Sequence, residues 1–142
     1  MEYRIITPDY AVTGQITPQD VKAIAEAGYK VLIDNRPDAE IEDGNTSDAV
    51  ALAAREAGLT FVYNPVVSGA LTMDNVALQR KVIDEADGPV FAYCRSGNRS
   101  AILWSLAEAG RRPTEEIVSS VAAAGYDVSH LVPQIEALAK AA

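Results

Sequence analysis

The chain has 142 residues, 49% of them hydrophobic and 23% charged, which is typical of one globular domain and not of a disordered segment. A formal charge of −8 argues against nucleic acid and anionic membranes as partners, because both bind through basic surfaces. No apolar run is long enough to span a bilayer, residues 1–4 do not look like the start of a signal peptide, and one cysteine cannot form an intrachain disulfide. We expect a single domain over residues 1–142 of a soluble cytoplasmic protein.

The first part of the chain predicts two short strands, a helix and a buried strand. Runs of β-branched and aromatic residues at Tyr3–Ile6 and Tyr10–Thr13 predict one or two edge strands. Thr17, followed by a proline, predicts the N-cap of a helix that ends at Gly28. The run Tyr29–Ile33, which is apolar apart from Lys30, then predicts a strand that is covered on both faces.

The unit of a helix followed by a strand recurs twice. The second unit predicts a helix from about Ser47 to Ala57 and a strand over Thr60–Tyr63. The third predicts a helix capped by Thr72, running to about Ala86, and a strand over Pro89–Tyr93. Units of this kind imply parallel strands joined by right-handed crossovers.

The rest of the chain predicts helices alone. They run from about Arg99 to Ala109, from Pro113 to Gly125, and from near Asp127–Ser129 to the C-terminus. The fold class is therefore α/β, with three α/β/α layers and a small, mostly parallel sheet. Ligands bind beyond the carboxyl ends of the strands in such sheets. That edge would carry Cys94, Asn35–Asp38 and Asn64–Val66.

Cys94 is the main candidate for chemistry, because it ends an apolar strand and begins a polar loop before a helix. Such a junction aims backbone N–H groups and the positive end of the helix dipole at one point, and Arg99 adds a guanidinium. Both favour a thiolate, to which Ser100 could donate a hydrogen bond. The alternative, a buried structural cysteine, normally lies within an apolar run. We predict that Cys94, Arg99 and Ser100 are catalytic and that the anion is bound by Arg95, Ser96, Gly97, Asn98 and Arg36.

A thiolate held in this way could attack phosphorus or accept a sulfane sulfur as a persulfide. Only four residues separate Cys94 from Arg99, and a short loop suits one extra sulfur atom better than the oxygens of a phosphoryl group. The loop of residues 66–72, where a general acid would be expected, contains no carboxylate. Both features favour sulfur transfer.

Other candidate residues have simpler explanations. Asp74 suits the first turn of its own helix, and Asp38 suits a turn, although either could be a general acid. Arg36 could pair with Asp38 or Glu40 instead of binding substrate. His130 is expected at the surface or in a cap, and Trp104 in the core. One cysteine and one histidine cannot form a metal site, so no metal or cofactor is expected.

The loop Cys94–Ser100 resembles the active-site loop of single-domain rhodaneses, which are sulfurtransferases. The rest of the chain resembles the phosphatase-like domain of beta-lactamase-hydrolase-like proteins, through Gln15–Thr17, Asn35–Asp38, Asn64–Val66 and Ala92–Gly97. That family has a dual-specificity-phosphatase fold and is also catalogued as a sulfur transferase. The resemblance implies a cysteine-phosphatase-like fold, a Cys94 nucleophile, Arg99 as the anion binder and Arg36 near the mouth of the site. True tyrosine phosphatases differ, since they have a longer Cys-to-Arg loop and an aspartic acid near Ala70.

The leading hypothesis is a rhodanese-like sulfurtransferase that passes sulfane sulfur through a Cys94 persulfide. Its partners would be a small anionic sulfur donor and a small thiol or partner-protein acceptor. The alternative is a tyrosine or dual-specificity type of phosphatase that forms a phosphocysteine at Cys94 and acts on a phosphoester. A third hypothesis is a non-catalytic binder of anions or phosphopeptides.

Overall fold

The computed structural model describes residues 1–41 and 44–141, and the strands of this part of the chain form one five-stranded sheet. The strands are β1 (Arg4–Thr7), β2 (Tyr10–Thr13), β3 (Val31–Asp34), β4 (Thr60–Tyr63) and β5 (Val90–Tyr93). Their order is β1-β2-β5-β3-β4. Only β1 and β2 pair antiparallel, and the other neighbours are parallel. This confirms the mostly parallel sheet.

The helices of the described residues lie between and after these strands. They are α1 (Asp20–Glu26), α2 (Ser47–Glu56), α3 (Met73–Glu85), α4 (Asn98–Ala107), α5 (Thr114–Ala123) and α6 (Val132–Ala141). Short 3-10 turns occupy Asp38–Glu40 and Ser129–Leu131. None of the described helices is both long enough and apolar enough to cross a membrane.

Helices cover both faces of the sheet, which confirms the three-layer α/β/α architecture. On one face, α1 and α2 pack with Val21 and Val50 against Leu32 and Phe91. On the other face, α3, α4, α5 and α6 contribute the larger core, which surrounds Trp104. Trp104 is buried, stacks on Tyr10 and lies under the Arg112 guanidinium, so its expected place in the core is confirmed.

The strand β2 was expected at an edge, and that prediction is wrong. It lies between β1 and β5, and all four of its residues are buried. The sequence pattern cannot show this, because β5 is 80 residues further along the chain and pairs Tyr10 with Val90. Only β1 is the edge strand at this end of the sheet.

Two predicted helix starts are displaced. The first helix begins at Asp20, although the Asp20 carboxylate still accepts a hydrogen bond from the Thr17 backbone N–H at 2.9 Å. The last helix begins at Val132, because a 3-10 turn occupies the residues before it. Its predicted last residue, Ala142, lies outside the described residues.

Candidate active site

The Cys94 loop lies where a buried parallel strand meets the start of a helix. Cys94 directly follows β5, and its backbone N–H extends the pairing with β2 by donating to the Thr13 carbonyl at 3.3 Å. The loop returns so sharply that the Gly97 N–H donates to Cys94 Sγ at 3.1 Å. The helix α4 begins at the next residue, so its positive end faces the same sulfur. The thiol is almost wholly buried, at 1% exposure.

Gly97 makes this tight return possible. Its φ is +92°, a left-handed conformation that side chains other than glycine's rarely adopt. A Cβ at this position would lie 2.2 Å from the Tyr126 hydroxyl oxygen. That hydroxyl donates to the Ser96 carbonyl at 2.9 Å, so Tyr126 holds the outer side of the loop. Gly97 therefore acts through its backbone, as an anion-cradling residue would.

Arg99 reaches from the first turn of α4 across the mouth of the site. Its guanidinium binds both carboxylate oxygens of Glu40 at 2.8 Å and donates to the Val66 carbonyl at 2.6 Å. The pKa of Glu40 is lowered, chiefly by its hydrogen bonds to Arg99. The pKa of Arg99 is raised by the same pair and further by Cys94. The guanidinium that was predicted to bind an anion is thus already paired with a carboxylate of its own protein.

Arg36 shares this carboxylate. Its Nε lies 3.3 Å from Glu40 Oε1, and its two terminal nitrogens donate to Gln15 Oε1 and to the Glu40 carbonyl. The pairing with Glu40 that the sequence suggested as the alternative role of Arg36 is therefore present. The same contacts place Arg36 beside Arg99, at the mouth of the site, as the resemblance implied.

Ser100 does not make the hydrogen bond that was predicted for it. Its hydroxyl donates to Asn35 Oδ1 at 2.9 Å, and one hydroxyl proton cannot also be donated to the Cys94 thiolate. The cause is that Asn35 follows β3, the strand next to β5, and meets the first turn of α4. Ser100 therefore fixes the start of α4 to the sheet.

Asn35 belongs to a buried network of uncharged polar side chains behind the loop. The side-chain amides of Asn35 and Gln79 each donate a hydrogen bond to the other, at 3.0 and 3.2 Å. Asn35 Nδ2 also donates to the backbone carbonyl of Asn64. Gln79 further accepts from Asn64 Nδ2 at 2.8 Å and donates to the Tyr10 hydroxyl at 2.9 Å. Tyr10 in turn donates to the Ser100 carbonyl at 2.9 Å. The network therefore joins α3, α4 and three strands just below the cysteine.

Asp34 and Tyr93 lie on the opposite face of the same sheet edge. They are register partners on β3 and β5, and both are fully buried. Asp34 Oδ1 accepts from the Arg36 N–H at 2.8 Å, but Oδ2 and the Tyr93 hydroxyl have no hydrogen-bond partner among the described residues. Burial raises the pKa of Asp34 to about 6 and also raises that of Tyr93. Asp34 and Tyr93 therefore each place a buried polar atom without a described hydrogen-bond partner next to the site.

The remaining predicted loop residues are solvent-facing. The side chains of Arg95, Ser96 and Asn98 are exposed, and the Arg95 carbonyl accepts from the Gln15 N–H at 3.3 Å. Ser96 Oγ accepts from the Asn98 N–H at 3.4 Å. These contacts shape the loop.

The candidate acids occupy structural positions. Asp38 accepts from both the N–H and the hydroxyl of Ser47, at 2.7 and 2.5 Å, and so anchors the start of α2. Asp74 is exposed in the first turn of α3. The predicted N-cap of this helix, Thr72, forms a capping box with Asn75. His130 is exposed in the 3-10 turn before α6, as expected.

Sequence reasoning missed several residues that shape the site. Glu40 was considered as a partner for Arg36 but not for Arg99, and Tyr126 gave no local signal. Gln79 could have been noticed, because it is a polar residue three positions after the buried Val76 on one face of α3. Asn35 and Asn64 directly follow β3 and β4, so their place at the sheet edge was predictable although their pairing was not.

The structure is an α/β protein with a phosphatase-like fold. Tk-PTP in its active form superposes with a TM-score of 0.76 at 14% identity, covering 97% of this chain and 96% of that chain. A candidate phosphatase of Neisseria meningitidis superposes with a TM-score of 0.80 at 30% identity, covering 95% and 96% of the two chains. The likeness to Tk-PTP concerns the fold alone at that level of identity.

Residues 2–111 match the model of the beta-lactamase hydrolase-like protein phosphatase-like domain, and the chain belongs to that family. Beta-lactamase hydrolase-like proteins of Xylella fastidiosa and Agrobacterium fabrum are 31% and 32% identical, over 89% and 82% of this chain. The matched region is only 30% and 28% of those relatives' own lengths. The resemblance to the phosphatase-like domain of beta-lactamase-hydrolase-like proteins is thereby confirmed.

Proposed function

We propose that the protein is a phosphoric monoester hydrolase that works through a phosphocysteine at Cys94. The observation that carries the proposal is the Gly97 N–H bonded to Cys94 Sγ at the start of α4, with Arg99 in the first turn of that helix. The family that the chain belongs to is described as a phosphatase-like domain, and the Neisseria meningitidis structure with this fold is that of a candidate phosphatase. They support the phosphatase alternative better than the sulfurtransferase hypothesis that the short loop favoured.

The reaction would proceed in two displacements. The Cys94 thiolate attacks phosphorus, a P–S bond forms, and the P–O bond to the alcohol or phenol breaks with its electron pair on the leaving oxygen. Water then attacks phosphorus, the P–S bond breaks, and inorganic phosphate leaves as the thiolate is restored. Backbone N–H groups of the loop and the Arg99 guanidinium would stabilise the phosphoryl oxygens in both steps.

Because residues 66–72 contain no carboxylate, the leaving oxygen would take its proton from solvent. Aryl esters, whose phenolate leaves without prior protonation, would therefore be better substrates than simple alkyl esters. We propose a small anionic phosphoester as the substrate class.

The test is hydrolysis of 4-nitrophenyl phosphate by the wild type and three variants. Cys94→Ser should abolish turnover, and Arg99→Lys should lower kcat/KM by about 10² because the planar fork is lost. Arg111→Lys is the matched control, since Arg111 pairs with Asp84 beyond the other end of α4, and it should leave kcat/KM unchanged. Hydrolysis that survives Cys94→Ser, or none by the wild type, would contradict the proposal.

Sulfur transfer remains a second candidate, because only four residues separate Cys94 from Arg99. The thiolate would attack the sulfane sulfur of thiosulfate, the S–S bond would break with release of sulfite, and an external thiol would then take the sulfur from the persulfide. Intact-protein mass after incubation with thiosulfate tests this hypothesis, with Cys94→Ser as the control. A gain of one sulfur on the wild type alone, together with no phosphate release from the aryl ester, would make sulfur transfer the better assignment.

A further inference from the structure

An apolar groove begins at the anion-binding side of the candidate site. It is a cavity of about 560 Å³ that contains Arg99 and Val66 in its wall, and these two residues are joined by the Arg99 hydrogen bond to the Val66 carbonyl. The other walls come from the start of α3, from α4 and from the C-terminal segment. Their main side chains are apolar: Leu71, Met73, Ile102, Leu106 and Leu138.

The helix α4 connects the charged and the apolar parts of this groove. Arg99, Ile102 and Leu106 are spaced by three and four residues, so they form one stripe along the helix. A molecule whose anionic group is held by Arg99 would meet Ile102 and then Leu106 along the same helix. The far wall is α6, whose Ala137 and Leu138 also line the groove.

We infer that this groove binds the apolar part of the substrate, and that the substrate is a monophosphate ester of a hydrophobic alcohol or phenol. The inference rests on the proposed function and adds a substrate class to it. A single cation beside a largely apolar wall complements a molecule with one anionic end and an apolar body. The size fits as well, because pockets of about 300–1,000 Å³ hold small organic ligands.

The exposure of the groove also needs an explanation. Met73 is 57% exposed at its rim and lines the groove together with other apolar side chains, and contiguous apolar surface of this kind is typical of binding sites. At the Arg99 end of the groove, Arg99 and Arg36 share the Glu40 carboxylate, so an anionic group would bind a guanidinium there by sharing or displacing that carboxylate. An apolar substrate tail would cover Met73 and the stripe on α4 at once.

The test is a series of 4-alkylphenyl phosphates, from methyl to hexyl, at concentrations where each is monomeric. Lengthening the para-alkyl group leaves the acidity of the phenol nearly constant. Differences in kcat/KM along the series therefore report binding of the alkyl chain and not the chemistry of the leaving group. We expect kcat/KM to rise by about twofold to fourfold for each added methylene until the groove is filled. A flat or falling series would overturn the inference while leaving the proposed phosphatase activity intact.

Substitutions locate the effect. Met73→Gln and Leu138→Gln should each reduce the rise along the series, so that kcat/KM falls further below the wild-type value as the alkyl chain lengthens. Leu52→Gln is the matched control, because Leu52 is 55% exposed on α2 and does not line the groove. If kcat/KM rises equally along the series in all three variants, the alkyl chain binds elsewhere and the inference about the groove is wrong.

A binding measurement separates failure of this inference from failure of the proposed function. Titration calorimetry with 4-alkylphenyl phosphonates and the Cys94→Ser variant needs no turnover. Affinity that rises with chain length and is weakened by Met73→Gln would support the groove even if no ester is hydrolysed. Affinity that does not depend on the length of the alkyl chain would overturn the inference about the groove.

Discussion

Two polar regions lie on either side of the Cys94 loop and differ in charge and burial. In front of the loop, Glu40, Arg36 and Arg99 carry charges, and their side chains are 31%, 15% and 11% exposed. Behind the loop, Asn35 and Gln79 are uncharged and fully buried. The division follows from desolvation, since a buried charge is far more costly than a buried amide whose hydrogen bonds are complete. From this comparison we expect that the rear region stabilises the fold and that the front region affects the affinity for anions.

The largest effect on stability is expected at the centre of the rear network. Gln79→Met keeps the length of the side chain but removes the acceptor of Asn35 Nδ2 and Asn64 Nδ2 and the donor to Tyr10. Stranding buried donors costs about 1–3 kcal/mol each, so we expect the free energy of unfolding to fall by about 3 kcal/mol. Urea denaturation measures it.

The control for this variant is Gln134→Met, because Gln134 is exposed on α6. It should change the free energy of unfolding by less than about 0.5 kcal/mol. Equal, small losses in the two variants would mean that the rear network does not stabilise the fold, and the contrast between the regions would fail.

A second prediction concerns Asp34, a buried carboxyl group at this edge of the sheet. Because burial raises its pKa from 3.8 to about 6, the folded protein keeps a proton in that pH interval which the unfolded chain releases. The free energy of unfolding therefore falls as the pH rises from about 4 to about 6, by up to about 3 kcal/mol, and then levels off. Asp34→Asn keeps the acceptor for the Arg36 N–H and removes this dependence.

Denaturation of both proteins at pH 4.5 and pH 7.5 measures the effect. The stability of Asp34→Asn relative to the wild type should increase with pH by about 2–3 kcal/mol. Asp48→Asn removes the same charge from an exposed position in α2 and should show no such change. A constant difference between Asp34→Asn and the wild type would show that Asp34 gains a partner or water that the described contacts do not include.

These regions also show what the sequence could predict. The place of Cys94 followed from local features, namely an apolar strand, a polar loop with a glycine and a helix, and the structure agrees. The Thr72 cap was predictable for the same reason, since its partner Asn75 is three residues away. The interior position of β2, the partner of Ser100 and the pairing of Glu40 with Arg99 depend on residues 59 to 80 positions apart or on strand order. Local patterns carry no information on such contacts, so the position of Cys94 between a strand and a helix was predictable but the hydrogen-bond partners of its loop were not.

The smallest predicted change in stability, but a clear change in affinity, is expected in front of the loop. Glu40 occupies both terminal nitrogens of Arg99, so an incoming oxyanion must displace its carboxylate or share the guanidinium with it. Glu40→Gln removes the competing charge and most of the repulsion of an anion. Exposed ion pairs are worth about 0–1 kcal/mol, so inhibition by inorganic phosphate should strengthen by up to about fivefold.

The inhibition constant for phosphate at constant ionic strength measures this effect, and Glu56→Gln is the matched control because it removes an equal charge from the surface of α2. Only Glu40→Gln should strengthen inhibition, and its free energy of unfolding should stay close to that of the wild type. Weaker inhibition in Glu40→Gln would mean that Glu40 holds Arg99 in the orientation that binds the anion. The carboxylate would then be a positioning residue instead of a competitor, and the front region would combine both tasks in one ion pair.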